Sequence, residues 1–413
     1  MKYLTKKHTS LLVFGCWLVY VAAYVGRLNY SASMAEIIGA LGITYDQGGL
    51  VYSCFAITYG MGQLVNGLLC KYYNPKYVIT GALCASALVN ALMPISGDYR
   101  IMAGLWLVNG IAQSMLYSLI IRTISRNVKS GSISGAIYAM SSTVAVGTAL
   151  AYGISALFVA LDAWRITFFV SASVLLIAAV VWVFVMTAVE RARKADILEE
   201  DDAHTASPEA KTAKTGISTM FILMFVFVGI TAVANGFIKD GVNNWLPKLL
   251  RDEFAVDDSL SIILTLFLPV FSILGSIVAR KLYLKLRNHL IIDGIFYGTA
   301  FVLAFVVFLI YPMRSVPFTM VMFIGLACMM AAINNVITSM VPLDNRDKMD
   351  SGLSAGLLDT LCYVGSSIAG TLLGVVAQSG KDGWEHVLII LFAIAAVASV
   401  LSFAFSFVTK KKK

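Results

Sequence analysis

The sequence predicts an all-α integral membrane protein of twelve transmembrane helices arranged as two six-helix halves. Three observations predict it. The 413 residues are 59% hydrophobic and only 13% charged, apolar stretches recur along almost the whole chain, and one long polar break falls near its middle. Soluble domains carry about 25% charged residues, so a water-soluble enzyme is excluded. Each apolar stretch reaches about 20 residues, enough to cross a hydrocarbon core of roughly 30 Å as a helix. Twelve helices of about 26 residues would use roughly 310 residues, leaving about 100 for loops and tails and no room for a sizeable soluble domain.

In the first half the spans begin near Leu11, Gly48, Tyr77, Met102, Ser132 and Ile166. In the second they begin near Ile217, Leu260, Leu290, Phe318, Gly352 and Val387. An even number of spans puts both termini on one side, and cations are retained on the cytoplasmic face during insertion. The tails and even-numbered loops hold 23 of the Lys and Arg residues, among them Lys6, Lys7, Arg122, Lys129, Arg280 and Lys410 to Lys413. The odd-numbered loops hold six, namely Arg100, Arg165, Lys248, Arg251, Arg314 and Lys381. Both termini are therefore expected in the cytoplasm, in a plasma membrane or, in a bacterium, the inner membrane. The net charge of +8 then belongs to the cytoplasmic rim and requires no nucleic acid.

Between the sixth and seventh spans, Glu190 to Gly216 is polar throughout, with the acidic run Glu199, Glu200, Asp201 and Asp202 and a helix breaker at Pro208. This reads as a flexible cytoplasmic linker over 191–215, separating an N-terminal half, 1–190, from a C-terminal half, 216–413. Two halves of equal span number joined by a polar linker are the sequence pattern of secondary transporters built from repeats. The six cysteines lie within or at the edges of apolar spans, which argues against a disulfide framework.

Two cations remain inside the spans: Arg27 in the first and Lys239 in the seventh, the first helix of each half. A charge at the centre of a spanning helix costs roughly 2.5–3.5 kcal/mol on insertion scales, so such residues face a cavity, a partner or a substrate. Related by an axis along the membrane normal, the two helices would face each other, and a bound anion would relieve the repulsion between their cations. The alternative is that both side chains snorkel to the interface. A structural ion pair is a further alternative for Lys239. Asp240 follows it directly and points about 100° away around a helix, which leaves Asp359 of the eleventh span as the expected partner, or else a proton carrier. The other polar residues in the spans, among them Asn29, Tyr59, Gln63, Gln113, Tyr117, Ser142 and Tyr363, serve either as interhelical hydrogen-bond glue or as substrate contacts.

These residues carry a resemblance. Gly26-Arg27-Leu28-Asn29-Tyr30, then Ala56-Ile57-Thr58-Tyr59-Gly60 with Asn74-Pro75-Lys76, then Gly110 to Gln113 with Arg122-Thr123, and Lys239-Asp240-Gly241 with Trp245 and Pro247, resemble the organophosphate:phosphate antiporter family of the major facilitator superfamily. The resemblance implies the major facilitator fold and exchange of glycerol phosphate or sugar phosphates for inorganic phosphate. It also implies that Arg27 and Lys239 grip the phosphate and that Tyr59, Tyr117 and Tyr363 line the cavity; Asn29, Gln113 and Ser142, polar residues of spans that carry the internal charges or these family positions, are the further candidates for substrate contact. The departures are Leu28 and Gln63 where the family has lysines, Ser142 where it has a histidine, and Cys70 where an aspartate is expected. Fewer cations are left. A phosphate monoester carries about −1.5 to −2 charges, which Arg27 and Lys239 balance only if Asp359 and Asp240 do not compete; competition favours a monovalent anion. Lysine also lacks the bidentate fork of arginine.

The expected function is alternating-access exchange of a small organophosphate for phosphate, with the site open to each side in turn. Its alternatives are a proton- or sodium-coupled symporter of an organic anion such as a sugar acid, using Asp359 or Asp240 as the ion-binding carboxylate, and a transporter-like membrane sensor. No closely spaced ligand set suits a metal and no Ser-His-Asp arrangement lies inside the spans, so neither catalysis nor a cofactor is expected. The expected partners are a small anionic substrate, inorganic phosphate as counter-substrate and the lipid bilayer, with no nucleic acid, and the expected state is a monomer.

Overall fold

Each of the twelve apolar stretches becomes a helical span in the computed structural model, which describes residues 2–195, 198–200, 219–286, 288–345, 349 and 351–410. The first half contains α1 (Lys6–Leu41), α2 (Tyr45–Leu69), α3 (Pro75–Leu92), α4 (Tyr99–Ser114), α5 (Leu116–Asn127), α6 (Ser130–Val159) and α7 (Trp164–Lys194). The second contains α8 (Thr219–Phe254), α9 (Asp258–Leu286), α10 (His289–Ile310), α11 (Val316–Asn335), α12 (Val341–Asp344), α13 (Ser351–Ala377) and α14 (Gly383–Lys410). The fourth span is broken at Met115 into α4 and α5, and the tenth passes from α11 through a π-helical turn, Val336–Met340, into α12. Among the described residues, eleven stretches are long and apolar enough to cross a membrane. The twelfth, α2, carries Asp46, Gln47, Gln63 and Asn66 and is the most polar of the set.

Local chemistry sets where helices start and stop. Asn74 accepts a hydrogen bond from the Lys76 amide at 3.0 Å while Pro75 occupies the first turn of α3. Asp98 accepts from the Arg100 amide at 2.8 Å to open α4, and Asn288 accepts from the Leu290 and Ile291 amides to open α10. Gly42, at φ 63°, ends α1 in the left-handed region and turns the chain back into α2.

The structure revises the expected linker. Helix α7 continues to Lys194, and β2 (Leu198–Glu200) pairs antiparallel with β1 (Lys2–Leu4), so the start of the acidic run lies against the chain's own beginning. The remainder of the expected linker, with Asp201, Asp202 and Pro208, lies outside the described residues, as do Lys411 to Lys413. Lys248 and Arg251, expected in a loop, sit instead in the last turns of α8, which runs to Phe254.

The apolar core divides by depth rather than by half. One buried cluster, with Leu12, Cys16, Ile120, Ile124 and Val189, draws only on the first half, at the end of the bundle that holds the termini. The other joins the second half to those parts of the first that lie away from the termini, such as Ile37, Tyr52, Trp106 and Trp164. The two halves therefore meet mainly at the end opposite the termini.

Two kinds of contact hold that meeting. Along α2 and α13 the backbones touch: a Cβ on Gly49 would lie 1.8 Å from the Gly370 carbonyl oxygen. Ser53 donates to the Ser367 carbonyl at 2.6 Å, Ser367 donates to the Ser53 carbonyl at 3.1 Å, and Thr360 donates to the Gly60 carbonyl at 3.0 Å. At the far end a charged knot forms. Asp252 takes Lys248 at 3.0 Å, the Tyr45 hydroxyl at 2.7 Å and the Trp384 indole at 3.3 Å, while Arg251 reaches Asp258 at 3.1 Å and Glu36 at 3.8 Å. Tyr45 and Glu36 belong to the first half and the others to the second, so the knot ties the halves together.

Candidate functional site

Helix geometry sets the depth of the two interior cations. Both α1 and α8 have 36 residues. At 1.5 Å per residue, Arg27 lies about 5 Å beyond the centre of α1 and Lys239 about 4 Å beyond the centre of α8. Both displacements run toward the end opposite the termini. With each helix centred on a hydrocarbon core of about 30 Å, roughly 10 Å separates either charge from the nearer edge.

Arg27 is 7% exposed and sits in a cage of aromatic rings. Its guanidinium carbon lies 3.9 Å from the ring centre of Tyr24, 5.0 Å from Tyr59 and 5.9 Å from Tyr20. Among the described residues no carboxylate lies within ion-pair distance of it. Tyr59 then meets Tyr363 of the second half edge-on, with ring centres 4.9 Å apart, and Tyr117 packs against Tyr20 at 5.2 Å. This cage, rather than an interfacial position, accounts for the burial of Arg27.

Lys239 is paired differently from the expectation. Its ammonium lies 3.6 Å from Asp240, whose other carboxylate oxygen accepts a hydrogen bond from Ser366 at 2.5 Å. Successive residues do diverge by about 100°, but the four-carbon lysine stem is long enough to bend back to its neighbour. Asp359 is half-buried, within electrostatic reach of Lys239, Asp240 and Arg27, and among the described residues makes no ion pair or hydrogen bond. Tyr24 is within electrostatic reach of both Arg27 and Lys239, and so joins the two halves of the site. The Lys239 side chain keeps 29% of its surface accessible.

The sequence profile of the Major Facilitator Superfamily matches residues 16–350. The chain belongs to this superfamily. As a major facilitator it is a multi-pass membrane transporter, binding a small solute within the bilayer, and not an enzyme. A bacterial homologue of the human lysosomal transporter Spinster, in an inward-facing and unoccupied conformation, is 14% identical, with 99% of each chain covered and a TM-score of 0.76. The nucleoside transporter NupG is 14% identical over 98% of this chain and 99% of its own, with a TM-score of 0.68. A D-xylose-proton symporter is 12% identical over 96% and 97%, with a TM-score of 0.69. At these identities the likeness is one of fold. No curated protein matches the sequence.

Within this major facilitator, the other expected site residues separate into two groups. Tyr59 and Tyr363 join the Arg27 group, and Tyr117 flanks it through Tyr20, with 43% of its surface exposed. Asn29 and Gln113 instead hold helices together. Asn29 donates to Asn90 at 2.7 Å and Ser171 at 3.0 Å, and Gln113 donates to Ser86 at 3.0 Å, all fully buried. Ser142 is exposed and accepts from the Trp17 indole at 2.9 Å. The residues that sequence reading missed are Tyr20, Tyr24 and Ser366. The first two carried a signal, because positions 20, 24 and 27 fall on one helical face. Ser366, one of several serines in α13, had none.

Proposed function

We propose that this transporter exchanges a small organophosphate, such as a sugar phosphate or glycerol phosphate, for inorganic phosphate by alternating access. The observation that carries the reading is Arg27: a buried guanidinium at mid-depth, ringed by tyrosines and lacking a carboxylate partner among the described residues. An anion supplies the missing countercharge, and the Tyr24, Tyr59 and Tyr363 hydroxyls add donors for its remaining oxygens. Lys239 contributes from the second half, so substrate held between the two cations favours closure of one half on the other. With both termini in the cytoplasm of the plasma membrane, as the cation distribution supports, the closed end faces outward and the site opens inward. The halves 1–190 and 216–413 then act as the rocking bodies of a monomer, joined by the linker.

A second reading is favoured by the Lys239–Asp240 pair. Because Asp240 already neutralises Lys239, the site holds one unbalanced cation, which suits a monovalent organic anion such as a sugar acid, and leaves Asp359 to carry a coupling proton. Reconstitution into liposomes distinguishes the two. In vesicles preloaded with phosphate, uptake of labelled glycerol 3-phosphate or glucose 6-phosphate without any pH gradient is the expected result. Accumulation of a sugar acid in phosphate-free vesicles, driven by an acid exterior, would replace it with symport. Binding of either solute without flux would overturn both and identify a sensor.

A further inference from the structure

We infer that Asn90 of α3 and Asn109 of α4 are positioning residues for Arg27, a role that rests on Arg27 being the anion anchor. Two chains of hydrogen bonds converge on one backbone oxygen. Gln113 donates to Ser86 at 3.0 Å, Ser86 donates to Asn109 at 2.5 Å, and Asn109 donates to the Gly26 carbonyl at 3.0 Å. From the other side Asn29 donates to Asn90 at 2.7 Å, and Asn90 donates to the same carbonyl at 3.0 Å. All five side chains are buried. A carbonyl oxygen has two lone pairs, and the two asparagines engage both. The Tyr30 amide, four residues on and the usual helical partner of that oxygen, donates to Asn29 Oδ1 at 2.9 Å. The Gly26 carbonyl and the Arg27 amide share one rigid peptide plane, so holding the first orients the second.

Helical spacing places Arg27 with Tyr20 and Tyr24 on one face of α1, and Gly26 with Asn29 on the face turned into the first half. A Cβ on Gly26 would lie 2.6 Å from the Leu175 side chain of α7, so α1 is seated there without slack. The guanidinium meets Tyr24 on its own helix and Tyr59 on α2, and it keeps both contacts only while α1 holds its rotation and height. Interhelical glue needs no more than one partner for each polar side chain. Convergence of α3 and α4 on the very peptide that carries Arg27 goes beyond that need. Linked donors also polarise one another, which strengthens a chain over separate bonds. Arginine is the side chain for which such aiming matters: a planar fork meets an anion in a fixed orientation, whereas an ammonium on a flexible stem accepts many.

The test is a double-mutant cycle on the full chain in detergent, read as binding of labelled glycerol 3-phosphate, or of glucuronate if the site takes a sugar acid. Asn90→Ala and Asn109→Ala each leave the other amide on Gly26. Thermal unfolding is followed in parallel, and if one variant does not fold the other is read. Each is expected to weaken binding about three- to tenfold, the worth of one net hydrogen bond. In an Arg27→Lys background the same substitutions should cost less than about twofold, because no fork is left to aim. A loss of equal size in both backgrounds would reflect general packing and overturn the inference, as would no loss in the native background. Arg27→Gln keeps the two levels apart. Undiminished binding in Arg27→Gln defeats the anion-anchor reading itself, whereas its loss there, with intact binding in both asparagine variants, defeats the positioning role alone.

Discussion

Replacing Arg27 by glutamine is the most direct test of the site, and its effect can be worked out from the structure. The substitution removes the one interior cation without a carboxylate partner among the described residues. What remains is Lys239 beside Asp240, with Asp359 within electrostatic reach, a group with no surplus positive charge when Asp359 is ionised. A hydrogen bond to a charged group contributes about 1.5–3 kcal/mol, and a forked guanidinium offers two. A loss of about 3–6 kcal/mol of anion binding follows, or roughly 150- to 25,000-fold in apparent Kd. Arg27→Lys keeps the charge and loses the fork, and is expected to lose about tenfold. Unliganded stability should move little, because lost ring contacts of about 0.5–2 kcal/mol each are offset by relief from burying a guanidinium. The measurements are counterflow in proteoliposomes and ligand-induced thermal shift in detergent. If Arg27→Gln exchanges substrate within about twofold of the native protein, the anion-anchor argument is wrong.

Asp240→Asn frees Lys239 and keeps an acceptor for Ser366, so competition assays should show the preference for dianionic phosphate esters over monocarboxylates rising about tenfold, on the scale of one close charge pair. Gly49→Ala drives a methyl group into the Gly370 carbonyl and should lower stability by about 1–3 kcal/mol, measured by thermal unfolding. Gly67→Ala on the same helix, with nothing within 4 Å, is its near-neutral control. His289, whose Nδ1 lies 3.7 Å from its carboxylate, holds the Asp344 carboxyl below the usual carboxylate range against the opposing effect of burial, with help from the hydrogen bond that the Tyr283 hydroxyl donates. A lowered native value adds stability that is fully present above the ordinary carboxylate value of about 3.9 and is lost as pH falls through the depressed one. Asp344→Asn should accordingly flatten the acid limb of a stability-against-pH curve.

The spans were legible because the bilayer imposes a length and an apolarity that a single sequence displays without help from its partners. Arg27 and Lys239 stood out for the same reason: charge inside an apolar run is costly, so its presence carries information. What could not be read was which polar residue serves which purpose. Asn29 and Tyr59 look equally suited to substrate, yet one spends its hydrogen bonds on Asn90 and Ser171 while the other turns its ring to Arg27. That choice depends on which helix lies opposite, information that periodicity along one strand of sequence does not contain. The partner of Lys239 was misjudged because helical geometry fixes the direction of Cβ and leaves a long side chain free to return.

The two contacts that join the halves differ in how they respond to the medium. The seam between α2 and α13 consists of hydroxyls on carbonyls and backbone against backbone, none of which dissolved ions weaken appreciably. The knot around Asp252 and Arg251 consists largely of charges at the bundle's end, where electrolyte at 1 M shortens the reach of electrostatics to about 3 Å. Concentrated salt therefore weakens the more open Arg251 contacts at one end of the molecule while sparing its axis and the buried Lys248–Asp252 pair, shifting the resting balance between its two orientations without touching the substrate-binding residues.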